Sequence, residues 1–186
     1  MTRKTRFMVF AAVVALVAAV AQTGAAQEDM MAAAERNVSF EGPGGVTLEG
    51  YLATPSGNGP FPGVIMVHEW WGLNNDITRL ADALAAEGYV VLAPDAFRGS
   101  VAQSPQDAMQ QVRSTPQEQI AADLDAALDF LRSHELVDED RVASMGFCFG
   151  GTQSMYMGTW NPELAATVTF YGSGPITDPD RLGALG

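Results

Sequence analysis

The segment Val142–Gly151 constrains the fold of this chain more than any other stretch. It reads Val-Ala-Ser-Met-Gly-Phe-Cys-Phe-Gly-Gly, an apolar run followed by a cysteine with glycines on both sides. A Gly-x-nucleophile-x-Gly pattern between a strand and a helix is typical of a sharp, strained turn that presents a nucleophilic side chain. Glycines are needed two residues to either side, because a Cβ atom there would collide with neighbouring chain. The pattern therefore predicts a strand, a turn with Cys148 at its apex, and a helix.

The chemistry of this turn depends on Cys148, which is the single cysteine of the sequence. The N-terminus of the following helix would point at the sulfur, and its positive end favours the thiolate. A lone cysteine is more often a buried structural residue, but the complete pattern after a strand favours a catalytic nucleophile. One cysteine also excludes an internal disulfide and a zinc site built from several cysteines.

Alternating patterns along the chain predict the fold class. Continuous apolar runs, typical of strands covered on both faces, alternate with helical patterns. The predicted strands are residues 37–40, 47–53, 63–67, 89–93, 141–145 and 164–171. We expect helices after a cap at Asp76, after a capping box at Thr115–Glu118, and over residues 152–160, with a less regular stretch at 97–115. The inward residues of the second helix are predicted to be Ile120, Leu124, Leu128 and Leu131. This order implies an α/β fold with a mostly parallel sheet flanked by helices.

Size and charge limit the classes of function. The 186 residues fit one domain, and 47% hydrophobic and 17% charged residues describe a globular protein. Asp and Glu number 22 against 10 Lys and Arg, for a net charge of -12, which does not favour nucleic acid as a partner. We predict a domain at residues 37–186, preceded by a mobile lead-in at 27–36. No cofactor or metal is predicted.

The first 26 residues have the features of a targeting segment. Three basic residues stand among the first six, an apolar run covers Phe7–Val20, and the small residues of Thr23–Ala26 suit a signal peptidase. The run is shorter than the about 20 residues that a membrane-spanning helix needs. We therefore predict a cleaved signal peptide, no stable membrane anchor, and a periplasmic or secreted protein; an uncleaved anchor is the alternative.

Three segments, in the same order, resemble the dienelactone hydrolase family, a cysteine branch of the α/β-hydrolases. Gly146–Gly151 resembles the family's nucleophile turn. Val67–Asn74 resembles its strand end, where a Glu precedes two bulky residues, a Gly and an aliphatic-Asn pair, and Ala93–Gly99 resembles its Pro-Asp-x-aromatic segment. The resemblance covers about residues 38–175. It implies an α/β-hydrolase-like fold and hydrolysis of ester or lactone bonds, as in carboxymethylenebutenolidase.

The resemblance also implies further site residues. Glu69 matches a Glu that pairs with the resting nucleophile and keeps the thiol protonated. The backbone N–H groups of Phe149 and Trp70 match the oxyanion hole. Arg98 resembles, with a one-residue offset, an Arg that binds the substrate carboxylate, although a surface arginine is an equal alternative. Trp71 is expected to line an apolar pocket, with core packing as the other interpretation.

A cysteine nucleophile needs a base and a carboxylate that orients the base. His134 follows a helix at the opposite edge of the sheet. His68 lies at the correct edge, but if Glu69 faces the site, His68 should face away, because side chains alternate along a strand. We expect His68 to be a packed residue, with the working base as the alternative. In α/β-hydrolases the triad Asp and His follow the nucleophile. We therefore expect the last strands, the closing helix and both residues to be missing, and these 186 residues alone to be inactive.

Two other classes of function remain open at this point. The chain could be a non-catalytic binding protein that keeps the turn only as fold geometry. It could also be a redox-active exported thiol protein, because one exposed cysteine can be oxidised or pair with another chain. The identity of the small-molecule ester or lactone and the oligomeric state are not defined by the sequence.

Overall fold

A computed structural model describes Asp29 and residues 31–174. The predicted signal peptide lies outside these residues. The elements in chain order are β1 (Val38–Glu41), β2 (Thr47–Ala53), β3 (Phe61–Val67), α1 (Asn75–Ala86), β4 (Val90–Pro94), α2 (Pro105–Ser114), α3 (Gln117–Arg132), β5 (Val137–Phe147), α4 (Phe149–Trp160) and β6 (Ala166–Phe170). Within this part of the chain, no helix combines the length and apolar character needed to span a membrane.

The strands form one sheet in the order β1-β2-β4-β3-β5-β6. The β3, β4, β5 and β6 strands run parallel, while β2 is antiparallel to both β1 and β4. Successive side chains of the central strand β3 pack into two different hydrophobic clusters, one on each face of the sheet. Ile65 and Val67 pack in a cluster with α3, and Val64 and Met66 pack in a cluster with α1. Because both faces are covered, β3 reads as a continuous apolar run. The predicted α/β class and mostly parallel sheet are confirmed.

The inward face of α3 is confirmed, but two predicted helix caps are wrong. Ile120, Leu124, Leu128 and Leu131 are all buried. The N-cap of α1 is Asn74, whose side chain accepts a hydrogen bond from Ile77 N at 3.3 Å; Asp76 lies in the first turn. Thr115 caps the end of α2 and donates its hydroxyl to Gln111 O at 2.8 Å, and α3 begins after Pro116 without a side-chain cap.

The described part of the lead-in packs against the domain. Ala33 forms a β-bridge with Asn74, and Ala34 is buried. The guanidinium of Arg36 lies 2.6 Å from the carboxylate of Asp95. These contacts anchor residues 31–36, which differs from the mobile segment predicted from their polar, Ala-rich sequence.

The last described strand, β6, exposes apolar side chains, as expected where no further strand covers it in the described residues. It pairs with β5 and, within the described residues, lies at the edge of the sheet. Val168 is 37% exposed and Phe170 is 41% exposed. Phe170 stacks on Phe147 of β5 with ring centroids 4.9 Å apart. An edge strand with exposed apolar side chains is a surface on which strands of other chains can pair.

We expect the 186-residue protein to self-associate through β6, and we expect Val168→Lys to reduce that association because a charged side chain on an edge strand opposes strand pairing. Sedimentation velocity at equal concentrations would measure the monomer fraction. Leu80→Lys is the matched control, because Leu80 is 39% exposed but lies on α1. Equal self-association of the wild type and the Val168 variant would contradict the prediction.

Candidate functional site

The turn between β5 and α4 is built by close contacts of the backbone. Cys148 has φ 52° and ψ -115°, a conformation that residues with a side chain rarely adopt. A Cβ atom on Gly146 would lie 2.1 Å from Gly150 O, and one on Gly150 would lie 2.1 Å from Val67 O. The close approach of Gly146 to Gly150 makes the turn tight, and the close approach of Gly150 to Val67 packs the turn against the end of β3. The glycines are therefore required by space, as the sequence pattern predicted.

The thiol of Cys148 is half-buried at the beginning of α4. Its backbone N–H donates to Phe170 O at 3.0 Å, and its carbonyl accepts from Thr152 N at 3.1 Å. The first N–H groups of α4 have no partner within the helix, so they give the region around the sulfur a positive potential. This arrangement favours an anionic group bound beside the sulfur.

Glu69 follows the end of β3, and in the described residues its carboxylate is hydrogen-bonded to Tyr171 and not to the thiol of Cys148 with which it was expected to pair. Tyr171 donates its hydroxyl to Glu69 Oε1 at 3.0 Å. Partial burial raises the pKa of Tyr171, and the hydrogen bond and negative charge of Glu69, with a smaller contribution from Cys148, raise it further. Tyr171 directly follows β6, whose Phe170 is the register partner of Phe147. The position of Tyr171 could have identified it from the sequence, because it comes one residue after the strand that pairs in parallel with the nucleophile strand.

His68 is fully buried beside this site, at 0% exposure. Its Nδ1–H donates to Glu69 O at 2.7 Å, and its Nε2 accepts from Ala96 N at 3.1 Å. Its ring lies against those of Phe97 and Phe149. Burial lowers the pKa of His68 and outweighs the opposing charge of Asp95. A neutral ring with both nitrogens bonded to backbone is a packed residue, as expected, although it lies beside the site and does not face away from it.

The two candidate oxyanion donors lie on segments that touch each other. A Cβ atom on Gly150 would come within 2.4 Å of His68 O, so the chain leaving β3 lies directly against the beginning of α4. Phe149 is the first residue of α4, and its N–H has no partner within the helix. The Trp70 N–H has no acceptor among the residues that the structure describes, while the Trp70 carbonyl accepts from the Gln111 side chain.

The structure places the other two predicted site residues nearby, in different settings. Arg98 donates two hydrogen bonds to the carboxylate of Asp123, at 2.9 and 2.8 Å, so its guanidinium is held against α3. Trp71 is half-buried, with its ring edge-on to that of Trp70 at a centroid distance of 5.2 Å. Their roles in substrate binding stay predictions.

Asp95 organises the segment that carries Arg98. Its carboxylate accepts from Phe97 N at 3.2 Å, from Gly99 N at 2.8 Å and from Arg36. The sequence analysis used Asp95 only as part of a pattern, because its partner Arg36 lies 59 residues away. Across residue 29 and residues 31–174, no three His, Cys, Asp or Glu side chains form a group that could hold a metal ion.

The strain at Cys148 leads to a stability prediction. We expect Cys148→Gly to be more stable than Cys148→Ala by about 1 kcal/mol in free energy of unfolding, because glycine adopts a positive φ without steric cost. Chemical denaturation would measure both variants. Ala143→Gly, in the regular part of β5, is the control and should destabilise the protein. A glycine variant no more stable than the alanine variant would show that the turn is not strained.

The chain is similar to known proteins over most of its length. The model of the dienelactone hydrolase family matches residues 48–183. Protein usf of Aquifex pyrophilus is 41% identical over 150 residues, which cover 77% of this chain and 64% of the relative. A "Putative carboxymethylenebutenolidase" of Aquifex aeolicus is 36% identical over 147 residues, which cover 75% of this chain and 62% of the relative.

A solved structure titled m3DLH superposes with a TM-score of 0.71 at 29% identity and covers 80% of this chain and 63% of its own. The chain thus spans less than two thirds of the length of each of these proteins. The match of the family model over most of the sequence, together with the cysteine turn and the parallel sheet that carries it, shows that the chain belongs to the dienelactone hydrolase family, a hydrolase family.

Proposed function

We propose that the protein hydrolyses an ester or lactone bond of a small molecule, with Cys148 as the nucleophile. One observation carries the proposal: Cys148 occupies a strained turn at the beginning of α4, directly against the chain that leaves β3 toward Trp70. A strained residue is retained where surrounding structure holds it in place, as at active sites. The family membership supports hydrolysis as the reaction class.

In the proposed reaction, the sulfur of Cys148 attacks the carbonyl carbon of the substrate. The negative charge that develops on the carbonyl oxygen is stabilised by the N–H groups of Phe149 and Trp70. The base takes the thiol proton as the sulfur attacks; collapse of the intermediate then breaks the ester bond, and the base passes this proton to the leaving oxygen to form the alcohol. Water then attacks the thioester, releases the acid and restores the thiol.

The family resemblance supports the proposal that Glu69 accepts a hydrogen bond from the resting thiol and keeps it protonated, which requires the carboxylate to reach Cys148 as well as its observed partner Tyr171. The Tyr171 hydroxyl donates to Glu69 Oε1 at 3.0 Å, and this hydrogen bond restricts the position of the carboxylate. His68 is unsuitable as the base, because both of its ring nitrogens are engaged by backbone groups. The base and its carboxylate are proposed to follow the nucleophile in chain order, as in other α/β-hydrolases, within the part of the relatives' length that these 186 residues do not span.

The test follows p-nitrophenolate release from p-nitrophenyl acetate, with mass spectrometry of any acetyl adduct. In a protein that includes the remaining segment, we expect Cys148→Ala to lower turnover by at least about 10³-fold, because no other group forms the thioester. Cys148→Ser should keep a small part of the activity. The 186 residues alone should show no turnover.

Met155→Ala is the matched control, because it also removes a sulfur-containing side chain from α4 and should leave turnover within about twofold, as expected for a residue that makes no contact with reacting atoms. Unchanged hydrolysis in the Cys148→Ala variant, or an acetyl adduct only at other residues, would contradict the proposed nucleophile.

We also propose that the protein is exported to the periplasm or secreted. The basic residues, the apolar run and the small residues at the beginning of the sequence support this. Mass spectrometry of the exported protein should find a new N-terminus near Gln27. An intact Met1 on membrane-bound material would contradict cleavage.

A further inference from the structure

His68 is a buried titratable side chain that the proposed reaction does not use. It lies at the carboxyl end of β3 with 0% exposure, and its ring packs against those of Phe97 and Phe149, which also contact each other. Burial of a polar ring is costly unless its hydrogen bonds are satisfied. Both bonds of His68 go to backbone groups, and one of them belongs to the peptide that carries the proposed oxyanion donor Trp70.

The partners of His68 determine its tautomer. Ala96 N–H can only donate, so Nε2 must accept, and Glu69 O can only accept, so Nδ1 must carry the proton. The two distances, 2.7 Å to Glu69 O and 3.1 Å from Ala96 N, are those of direct hydrogen bonds. The imidazole is therefore a neutral bridge between two segments of backbone.

The bond to Glu69 O also sets the direction of the Trp70 N–H. Both groups belong to one trans peptide, in which the carbonyl and the N–H point in opposite directions. Gly72 N donates to the same carbonyl at 3.2 Å, so two donors hold the peptide from one side. In the described residues the Trp70 N–H on the other side has no acceptor, which leaves it available to a ligand.

The far side of the imidazole is held by the segment around Asp95. The Asp95 carboxylate accepts hydrogen bonds from Phe97 N and Gly99 N, the backbone that immediately follows Ala96. Arg36 neutralises that carboxylate from outside. The Pro-Asp-x-aromatic segment has no role in the proposed reaction. Its backbone holds Nε2 of His68 in place, while Nδ1 binds the Glu69–Trp70 peptide.

From these contacts we propose that His68 is a positioning residue: its Nδ1–H holds the Glu69 carbonyl and so aims the Trp70 N–H at the reaction centre, while the bond from Ala96 N fixes the tautomer that carries this proton. The inference rests on the proposed function for the identity of the reacting group, but the orientation of the peptide can be measured without it.

Two amide variants separate the two hydrogen bonds. The carboxamide of His68→Asn reaches the position of Nδ1 and can still donate to Glu69 O, whereas that of His68→Gln reaches the position of Nε2 and can still accept from Ala96 N. In a protein that includes the remaining segment, we expect His68→Gln to lower kcat for p-nitrophenyl acetate by about tenfold or more, with KM within about threefold, because an oxyanion donor acts mainly in the transition state. His68→Asn should keep kcat within about threefold of the wild type.

Thermal unfolding distinguishes positioning from a purely structural role. Each variant loses one buried hydrogen bond, so we expect their Tm values to fall by similar amounts. Similar losses of Tm with a loss of kcat confined to His68→Gln support the inference. Equal kcat values in the two variants would overturn it.

NMR tests the inference without catalysis. A long-range 15N–1H spectrum should show one histidine as the Nδ1–H tautomer, assigned by comparison with a His134→Gln variant. The Trp70 amide resonance should shift and broaden in His68→Gln and stay near its wild-type position in His68→Asn. A Trp70 amide that is the same in all three proteins would overturn the inference. If wild type shows no Cys148-dependent hydrolysis, the proposed function fails, and these amide data alone decide the role of His68.

Discussion

The close approach of the nucleophile turn to the end of β3 is the contact on which the site depends. The parallel register pairs Val67 with Gly146, so both strands end at the same level. Gly150 then packs against the carbonyls of Val67 and His68 at distances that exclude any side chain. Because no side chain separates the two segments, the chain leaving β3 and the beginning of α4 are held together. A larger residue at this point would move the two proposed oxyanion donors apart before it affected the core.

A buried polar network supports this contact from the side. Arg36, Asp95 and His68 connect the N-terminal segment, the loop after β4 and the peptide beyond β3. Buried polar groups are stable only when they are paired, so each link depends on the others. The network explains why residues 31–36 are anchored, because they supply the cation of a carboxylate that is itself buried.

The two edges of the site differ in how completely they are covered. On the β3 side, Trp70 and Trp71 pack together, and Gln111 of α2 binds the Trp70 carbonyl. On the β6 side, Tyr171 is 68% exposed and contacts Glu69 from what is, in the described residues, the edge of the sheet. Glu69 thus has the packed Trp70 and Trp71 side chains on one side and the exposed Tyr171 on the other. Its carboxylate is accessible from the side of β6.

Local sequence determined the features that arise from short-range geometry. The glycines around Cys148, the unbroken apolar run of β3 and the inward leucines of α3 each follow from strand, turn or helix periodicity, so the α/β fold and the nucleophile turn were predictable. The tertiary structure decided the contacts between distant residues. Tyr171 reaches Glu69 across 102 positions, and Arg36 reaches Asp95 across 59, and no local pattern records such pairs. The helix caps at Asn74 and Thr115 were likewise settled by competition for neighbouring backbone groups, since several adjacent polar residues could have capped either helix and only packing selected one.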